Sequence, residues 1–302
     1  MIEARVANAP CTYGAFEITI GIVPGVPEPD QMLAAMAAAG YAGTELGPVG
    51  YLGTGERLRS RLERHGLELA GGFIPLRLSE PEHHAEDLAV LADSLDAFAA
   101  GGAPDARPVL ADAGSPERVA RPGQAVDDRS LGLDDAGWRH LADGLAAAVE
   151  LCTGRGFAPA FHPRAGTYVE APWEIERMLE LSDVGLVIDT GHLLLGGSDP
   201  TEALRRFGER VTHIHLKDVN LDVLRRVIAD GADMPEAWRR HVFCRLGAGD
   251  VDLEAFAGEL EEAAYDGWIV VEQDWVPVAE EIEGQWQAQV ENRRWLRDRL
   301  GI

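Results

Sequence analysis

The chain has 302 residues, 46% of them hydrophobic, enough to build one large core. Its 51 acidic side chains outnumber 27 basic ones, and the formal net charge of −24 excludes the basic footprint of a nucleic-acid partner and argues against an anionic membrane surface. Three scattered cysteines, Cys11, Cys152 and Cys244, point to a reducing compartment, and with neither a signal-peptide pattern nor an apolar run of ~20 residues the expected location is cytoplasmic.

Along the chain, short apolar strands alternate with longer amphipathic helices, the signature of parallel β/α units. Strands are predicted at Arg5–Ala9, Gly43–Leu46, Leu67–Ile74, Pro108–Asp112, Ala158–His162, Gly185–Asp189, Val211–Leu216 and Trp268–Glu272. Helices are predicted between them, among others at Asp30–Ala39, His84–Ala99, Leu141–Cys152, Trp173–Leu181 and Leu253–Ala264. A last helix around Glu280–Leu300 carries Trp286 and Trp295. Eight such repeats make an α/β fold, the (β/α)8 TIM barrel, as a single domain over residues 1–302. Two connections, 113–134 and 219–249, are longer than ordinary loops and read as lids or interfaces. Together with the Trp-rich last helix they are consistent with a homo-oligomer. The run Arg245-Leu-Gly-Ala-Gly-Asp250 lacks a full phosphate-binding fingerprint and reads as a tight turn before the helix at Leu253.

Strand parity then groups the polar residues. Residues two apart share a face, so His213, His215 and Lys217 point one way while Thr212, Ile214 and Leu216 point the other. The same rule puts Asp189 inside with Val187, His162 and Arg164 inside with Ala160, Glu272 inside with Val270, and Glu45 inside on the second strand. These groups end their strands, where barrels build active sites. Any one histidine alone is more often a hydrogen-bonded core residue than a ligand. Together, two carboxylates (Asp189, Glu272) and two imidazoles (His162, His215) on neighbouring strands read as a divalent metal site, because unpaired they would be costly to bury. A mixed N/O set favours Mn, Co or Zn over Mg. His213 lies one layer deeper and reads as a supporting donor to His215. Lys217 is the sole lysine, all 26 remaining basic side chains being arginine. Lysine can give up its proton and arginine cannot, which points to a chemical role.

These segments resemble a known family. Asn8-Ala-Pro, Gly40-Tyr-Ala-Gly-Thr-Glu-Leu-Gly-Pro, Phe161-His-Pro-Arg-Ala-Gly-Thr-Tyr-Val-Glu170, Asp189-Thr-Gly-His192, His213-Ile-His-Leu-Lys-Asp218 and Gly267-Trp-Ile-Val-Val-Glu272 are similar to inosose dehydratase-like proteins. Those belong to the xylose isomerase-like TIM barrels of sugar isomerases, epimerases and dehydratases. The resemblance implies a divalent metal on His162, Asp189, His215 and Glu272, with His192, Lys217 and Glu45 facing the substrate. Two departures stand out: strand five offers His162 where epimerases of this superfamily place a glutamate, and Arg164 stands where dehydratase-like relatives place a histidine. Arg164 and His213 are the expected substrate-binding residues.

The function expected is a metal-dependent lyase that dehydrates a keto-polyol through a stabilised enediolate, with Lys217, His192 and Glu45 exchanging the protons. A keto-sugar isomerase or epimerase with the same metal site is the alternative. A non-catalytic sugar-binding barrel or a subunit of a larger assembly is a further one, and the related endonuclease branch is disfavoured by the acidic charge.

Overall fold

The computed structural model describes residues 4–302; residues 1–3 of the expected domain lie outside the described part. Ten strands are present: β1 (Arg5–Asn8), β2 (Gly43–Glu45), β3 (Glu68–Leu76), β4 (Arg107–Asp112), β5 (Ala160–Phe161), β6 (Gly185–Asp189), β7 (Val211–Leu216), β8 (Asp218–Val219), β9 (Phe243–Cys244) and β10 (Trp268–Val271). Eight close into a parallel barrel in the order β1-β10-β7-β6-β5-β4-β3-β2, while β8 and β9 form a small antiparallel ribbon. The expected barrel is therefore the observed one. β5 is shorter than Ala158–His162 because Pro159 and Pro163 flank it without amide protons to donate. His162 nonetheless continues the ladder on one side, its N–H reaching the Leu110 carbonyl at 2.7 Å.

Parity separates two environments. Ile214, Leu216, Leu110, Phe161 and Ile188 face outward into the large core beneath the helices. Inside the barrel, Ala7, Ala70 and Val270 cluster with Trp268, and Val109, Ala160 and Val187 form a second small cluster. Small side chains fill the lower interior, and the ionisable residues of the same strands form the layer above them. The long connection 219–249 folds into helices Leu221–Ala229 and Met234–Arg239 plus the β8–β9 ribbon, and 113–134 holds the short helix Pro116–Ala120. Among the described residues no helix is long and apolar enough to cross a membrane.

The glycine run after β9 is a turn, organised by Asp218. Its buried carboxylate accepts from the N–H groups of Gly247 and Gly249 at 2.9 Å each, of Val219 at 2.9 Å and of Val251 at 3.1 Å. Asp218 thus faces away from its neighbour Lys217 and ties the turn to β8. A Cβ on Gly249 would collide with Asp218 Oδ1 and the Val219 carbonyl. Gly249→Ala is therefore expected to destabilise the fold by about 1–3 kcal/mol, as overpacking does. Urea denaturation measures this, and an unchanged midpoint would contradict the packing.

Candidate active site at the barrel mouth

Strand register brings the ionisable residues together. β6 and β7 pair with Asp189 opposite His215, and β7 and β10 pair with His215 opposite Val270, which sets Lys217 beside Glu272. His162 enters from the end of β5 and Glu45 from the end of β2. A Cβ on Gly71 would collide with the Arg107 carbonyl at 2.6 Å and press on Glu45 Oε1 at 3.3 Å, so the glycine leaves room for both. Gly191 does the same for Lys217, whose Cβ would lie 2.7 Å from an added one. All of Glu45, His162, Asp189, His215, Lys217 and Glu272 are buried, none more than 5% exposed.

The hydrogen bonds settle which atoms are free. His162 Nδ1 lies 2.7 Å from the Pro163 carbonyl, which can only accept, so Nδ1 carries the proton and Nε2 presents a lone pair. That lone pair faces Asp189 Oδ2 at 3.3 Å. His215 Nε2 donates to Glu45 Oε1 at 3.0 Å, turning Nδ1 toward Glu272 Oε2 at 3.3 Å and Asp189 Oδ2 at 3.7 Å. Both Asp189 Oδ2 and His215 Nδ1 are buried without a hydrogen-bond partner. Asp189 Oδ1, by contrast, accepts from the His192 N–H at 2.8 Å and so fixes its carboxylate. The spacings from Asp189 to His162 and His215, 3.3 and 3.7 Å, are close to the ~3.4 Å ligand–ligand distance around a metal with ~2.1 Å bonds, and His215 lies 3.3 Å from Glu272. His162, Asp189 and His215 lie within 4.8 Å of one another and could hold a divalent cation, with Glu272 beside them.

Against the upward push of burial, Lys217 and the nearby histidines hold the Asp189 carboxyl well below the usual range. Glu272 is lowered likewise, burial being outweighed by His215 and Lys217. His215 is drawn well above the ordinary imidazole value, its burial overcome by Glu272 and Glu45. Burial lowers His162. The cluster holds more negative charge than its own cations balance, and a proton on His215 offsets part of it.

Lys217 Nζ lies 2.7 Å from Glu272 Oε2, 3.2 Å from Asp189 Oδ2 and 3.4 Å from Asp274 Oδ1. Burial alone would lower its pKa, yet Asp189, Asp274 and Glu272 hold it well above that of a free lysine. Its backbone is pinned by Thr190, whose hydroxyl donates to the Lys217 carbonyl at 2.6 Å and accepts from its N–H at 2.9 Å.

The remaining expected residues take distinct places. Glu45 lines the cavity and accepts from both His213 and His215 at 3.0 Å, and these two histidines hold it ionised despite burial. His213 sits a layer below, bonded to Glu45, and does not line the cavity. His192 accepts the Ala165 N–H at Nδ1, 3.3 Å away, and points Nε2, buried without a hydrogen-bond partner, toward Asp274 Oδ2 at 3.6 Å. It too lies behind the cavity wall. Arg164 reaches into the cavity, its guanidinium 5.0 Å over Phe73, 5.7 Å over Trp238 and 3.7 Å from Asp274 Oδ2. The cavity measures about 230 Å³, smaller than the ~300–1,000 Å³ of drug-sized sites, and suits one small ring. Phe16 and Trp238, stacked at 5.6 Å from two different connections, form part of its wall.

Asp274 was not singled out from sequence, although it lies two residues beyond Glu272 and the same parity rule would have grouped it inside. Cys11, Phe73 and the Phe16–Trp238 stack also line the cavity and carried no sequence signal.

Known proteins sharing these features were found by sequence and by structure. Residues 33–299 match the family described as xylose isomerase-like TIM barrel. The chain is 35% identical over 262 residues to the inosose dehydratase of Geobacillus kaustophilus, covering 84% of both chains. It is 33% identical over 250 residues to the rhizopine catabolism protein MocC of Rhizobium meliloti, covering 82% of this chain and 75% of that one. Among solved structures, the IolI protein with a zinc atom superposes with a TM-score of 0.68 at 16% identity, over 98% of each chain. D-allulose 3-epimerase from Methylomonas sp. superposes with a TM-score of 0.68 at 13% identity, over 99% of this chain and 98% of that one. These structural likenesses speak to the fold.

One electrostatic consequence is measurable. Burial and the charge of Lys217 push His192 from the ordinary 6.5 down to about 3. Between those values the folded state binds fewer protons than the unfolded one, so this histidine makes stability fall on acidification. Relative to His192→Gln, the metal-free wild type is expected to lose about 1.4 kcal/mol per pH unit between pH 6 and pH 4. Denaturant titrations at fixed pH read this out, and parallel curves for the two proteins would mean that His192 is charged in the fold.

Proposed function

Because the chain belongs to the xylose isomerase-like TIM barrel family, we propose that it is a dehydratase acting on a keto-inositol, an inosose, with a divalent cation held by His162, Asp189, His215 and Glu272. The observation that carries this reading is the convergence of His162, Asp189 and His215, with Glu272 beside His215, next to the chain's sole lysine in a one-ring cavity. The similarity to inosose dehydratase supports the substrate class. When bound, a divalent cation there supplies stabilisation for the negative charge that develops on the substrate carbonyl oxygen.

The chain's own residues do the rest. Lys217 Nζ is the proton carrier. Were Asp189 and Glu272 to hold a cation, Asp274 would remain as the lysine's counter-ion and giving up its proton would cost less. As the free amine it takes the proton from the carbon next to the carbonyl. The C–O bond at the neighbouring carbon then breaks, the departing hydroxide takes that same proton from Nζ, and water leaves. The unsaturated product relaxes to a dione. Glu45, held ionised by its two histidines, accepts a hydrogen bond from a substrate hydroxyl rather than acting as an acid. The Arg164 guanidinium, 3.7 Å from Asp274 Oδ2 with no hydrogen bond among the described residues, grips a substrate oxygen, while the aromatic wall excludes water. His192 acts through Asp274, since it does not reach the cavity.

Protein loaded with manganese, cobalt or zinc, incubated with keto-inositols and ketohexoses in deuterated water, is expected to turn a keto-inositol into a dione visible by NMR. Deuterium on an unchanged skeleton would mean epimerisation instead, and neither across the panel would overturn the enzyme reading. Asp189→Ala is expected to abolish metal uptake in elemental analysis. Lys217→Arg is expected to keep the metal and lose on the order of 10²–10⁴-fold in kcat. Near-normal turnover in that variant would make Lys217 an electrostatic clamp.

A further inference from the structure

Beyond the cavity lies a second buried charge cluster that takes no part in the chemistry above. Arg118, on the short helix Pro116–Ala120, has zero exposure and makes paired hydrogen bonds to Glu174, Nη1 to Oε1 at 2.8 Å and Nη2 to Oε2 at 3.0 Å. Its Nη2 also reaches Glu170 Oε2 at 3.1 Å, and its Nη1 the Leu131 carbonyl at 3.2 Å. Glu170, 1% exposed, spends both oxygens as acceptors: Oε1 takes the Gly123 N–H, and Oε2 takes the Gly166 N–H at 3.0 Å as well as the Arg118 guanidinium. Close by, Asp112 Oδ2 accepts from the Gly114 and Tyr168 N–H groups at 2.9 Å each.

A buried network of this kind is weak evidence for stability, because desolvating the charges offsets their attraction. What it does define is geometry. It fastens the connection after β4, residues 113–134, to the connection after β5, residues 163–171. The latter presents Arg164 to the cavity and the Ala165 N–H to His192 Nδ1. Gly166, whose N–H Glu170 holds, is the next residue and sits at φ +85°.

We propose that Glu170 is a positioning residue for the active site: by holding Gly166 it aims the Ala165 N–H at His192 Nδ1 and keeps the His192 proton on Nε2, 3.6 Å from Asp274 Oδ2, and so sets which face of His192 stands behind the carboxylate shared by Lys217 and Arg164. The link from there to turnover rests on the reading of Lys217 as proton carrier. The link from Glu170 to His192 does not.

Two variants test it. In Glu170→Gln an amide NH2 must face a donor whichever way it is turned, since both original oxygens accept. In Glu170→Asp both acceptors remain on an arm too short to meet Gly123 and Gly166 together. The readout is the ring ¹⁵N spectrum of His192 in metal-loaded protein, assigned by its absence in His192→Gln. It is taken at pH 8, above the value of about 7 to which burial pushes the Glu170 carboxyl. Wild type is expected to show one tautomer, protonated at Nε2. Glu170→Gln is expected to populate the Nδ1–H form and lose on the order of tenfold to a hundredfold in kcat on a keto-inositol. Glu170→Asp shows a smaller change of the same sign, and it carries the test alone if the glutamine variant does not fold. A single Nε2–H tautomer in both folded variants would overturn the proposal and leave the cluster as packing. A tautomer shift in protein whose wild type dehydrates no keto-inositol would uphold the positioning and refute the assigned reaction.

Discussion

Two imidazoles and two carboxylates meet around one lysine at the mouth of this barrel, and much of the surrounding structure serves that meeting. The tautomers are set from behind: the Pro163 carbonyl takes the Nδ1 proton of His162, and Glu45 takes the Nε2 proton of His215. Each ring thereby turns its other nitrogen inward. Asp189 is held by one oxygen on the His192 amide and turns the other toward Lys217 Nζ at 3.2 Å. Such an arrangement is unfavourable in a protein by itself and becomes favourable with a cation. The displaced pKa of His215 records that imbalance.

The barrel makes the arrangement affordable by dividing its labour. Large apolar residues on the outward faces of the strands pack under the helices, while the lower interior is closed by small ones around Trp268. Chemistry is confined to the upper layer, where the strands end and the connections begin. Those connections are themselves ordered by buried carboxylates that accept from backbone amides: Asp218 for the turn after β9, Glu170 and Asp112 for the two connections after β4 and β5. The acidic composition is thus a working part of the interior as well as a solvated exterior.

Lys217 illustrates why residue type matters there. Its ammonium sits among Glu272, Asp189 and Asp274, each within 3.4 Å, in a space that Gly191 keeps open. An arginine would bring a planar fork of five donors into a gap shaped for a point charge, and it could not release its proton. Its neighbour Asp218, adjacent in sequence, points the opposite way into the glycine turn. The lysine's counter-ions come instead from the neighbouring strands, Asp189 at the end of β6 and Glu272 and Asp274 just after β10.

The sequence by itself determined the alternation of strands and helices, the barrel and the identity of the strand-end residues, because periodicity two is a local property that a chain carries before it folds. Parity correctly separated Ile214 and Leu216 from His213 and His215, and by the same rule would have included Asp274 had it been carried two residues further. Only the tertiary structure decided what each group does. Which nitrogen of His162 is free depends on the Pro163 carbonyl in a turn. Whether Glu45 acts as an acid or as a hydrogen-bond acceptor depends on two histidines nearly 170 positions away. That His192 stands behind the wall while Arg164 stands inside it depends on a connection fastened from outside by Arg118 and Glu170. Hydrogen-bond partners and burial are set by contacts distant in sequence, and no local pattern encodes them.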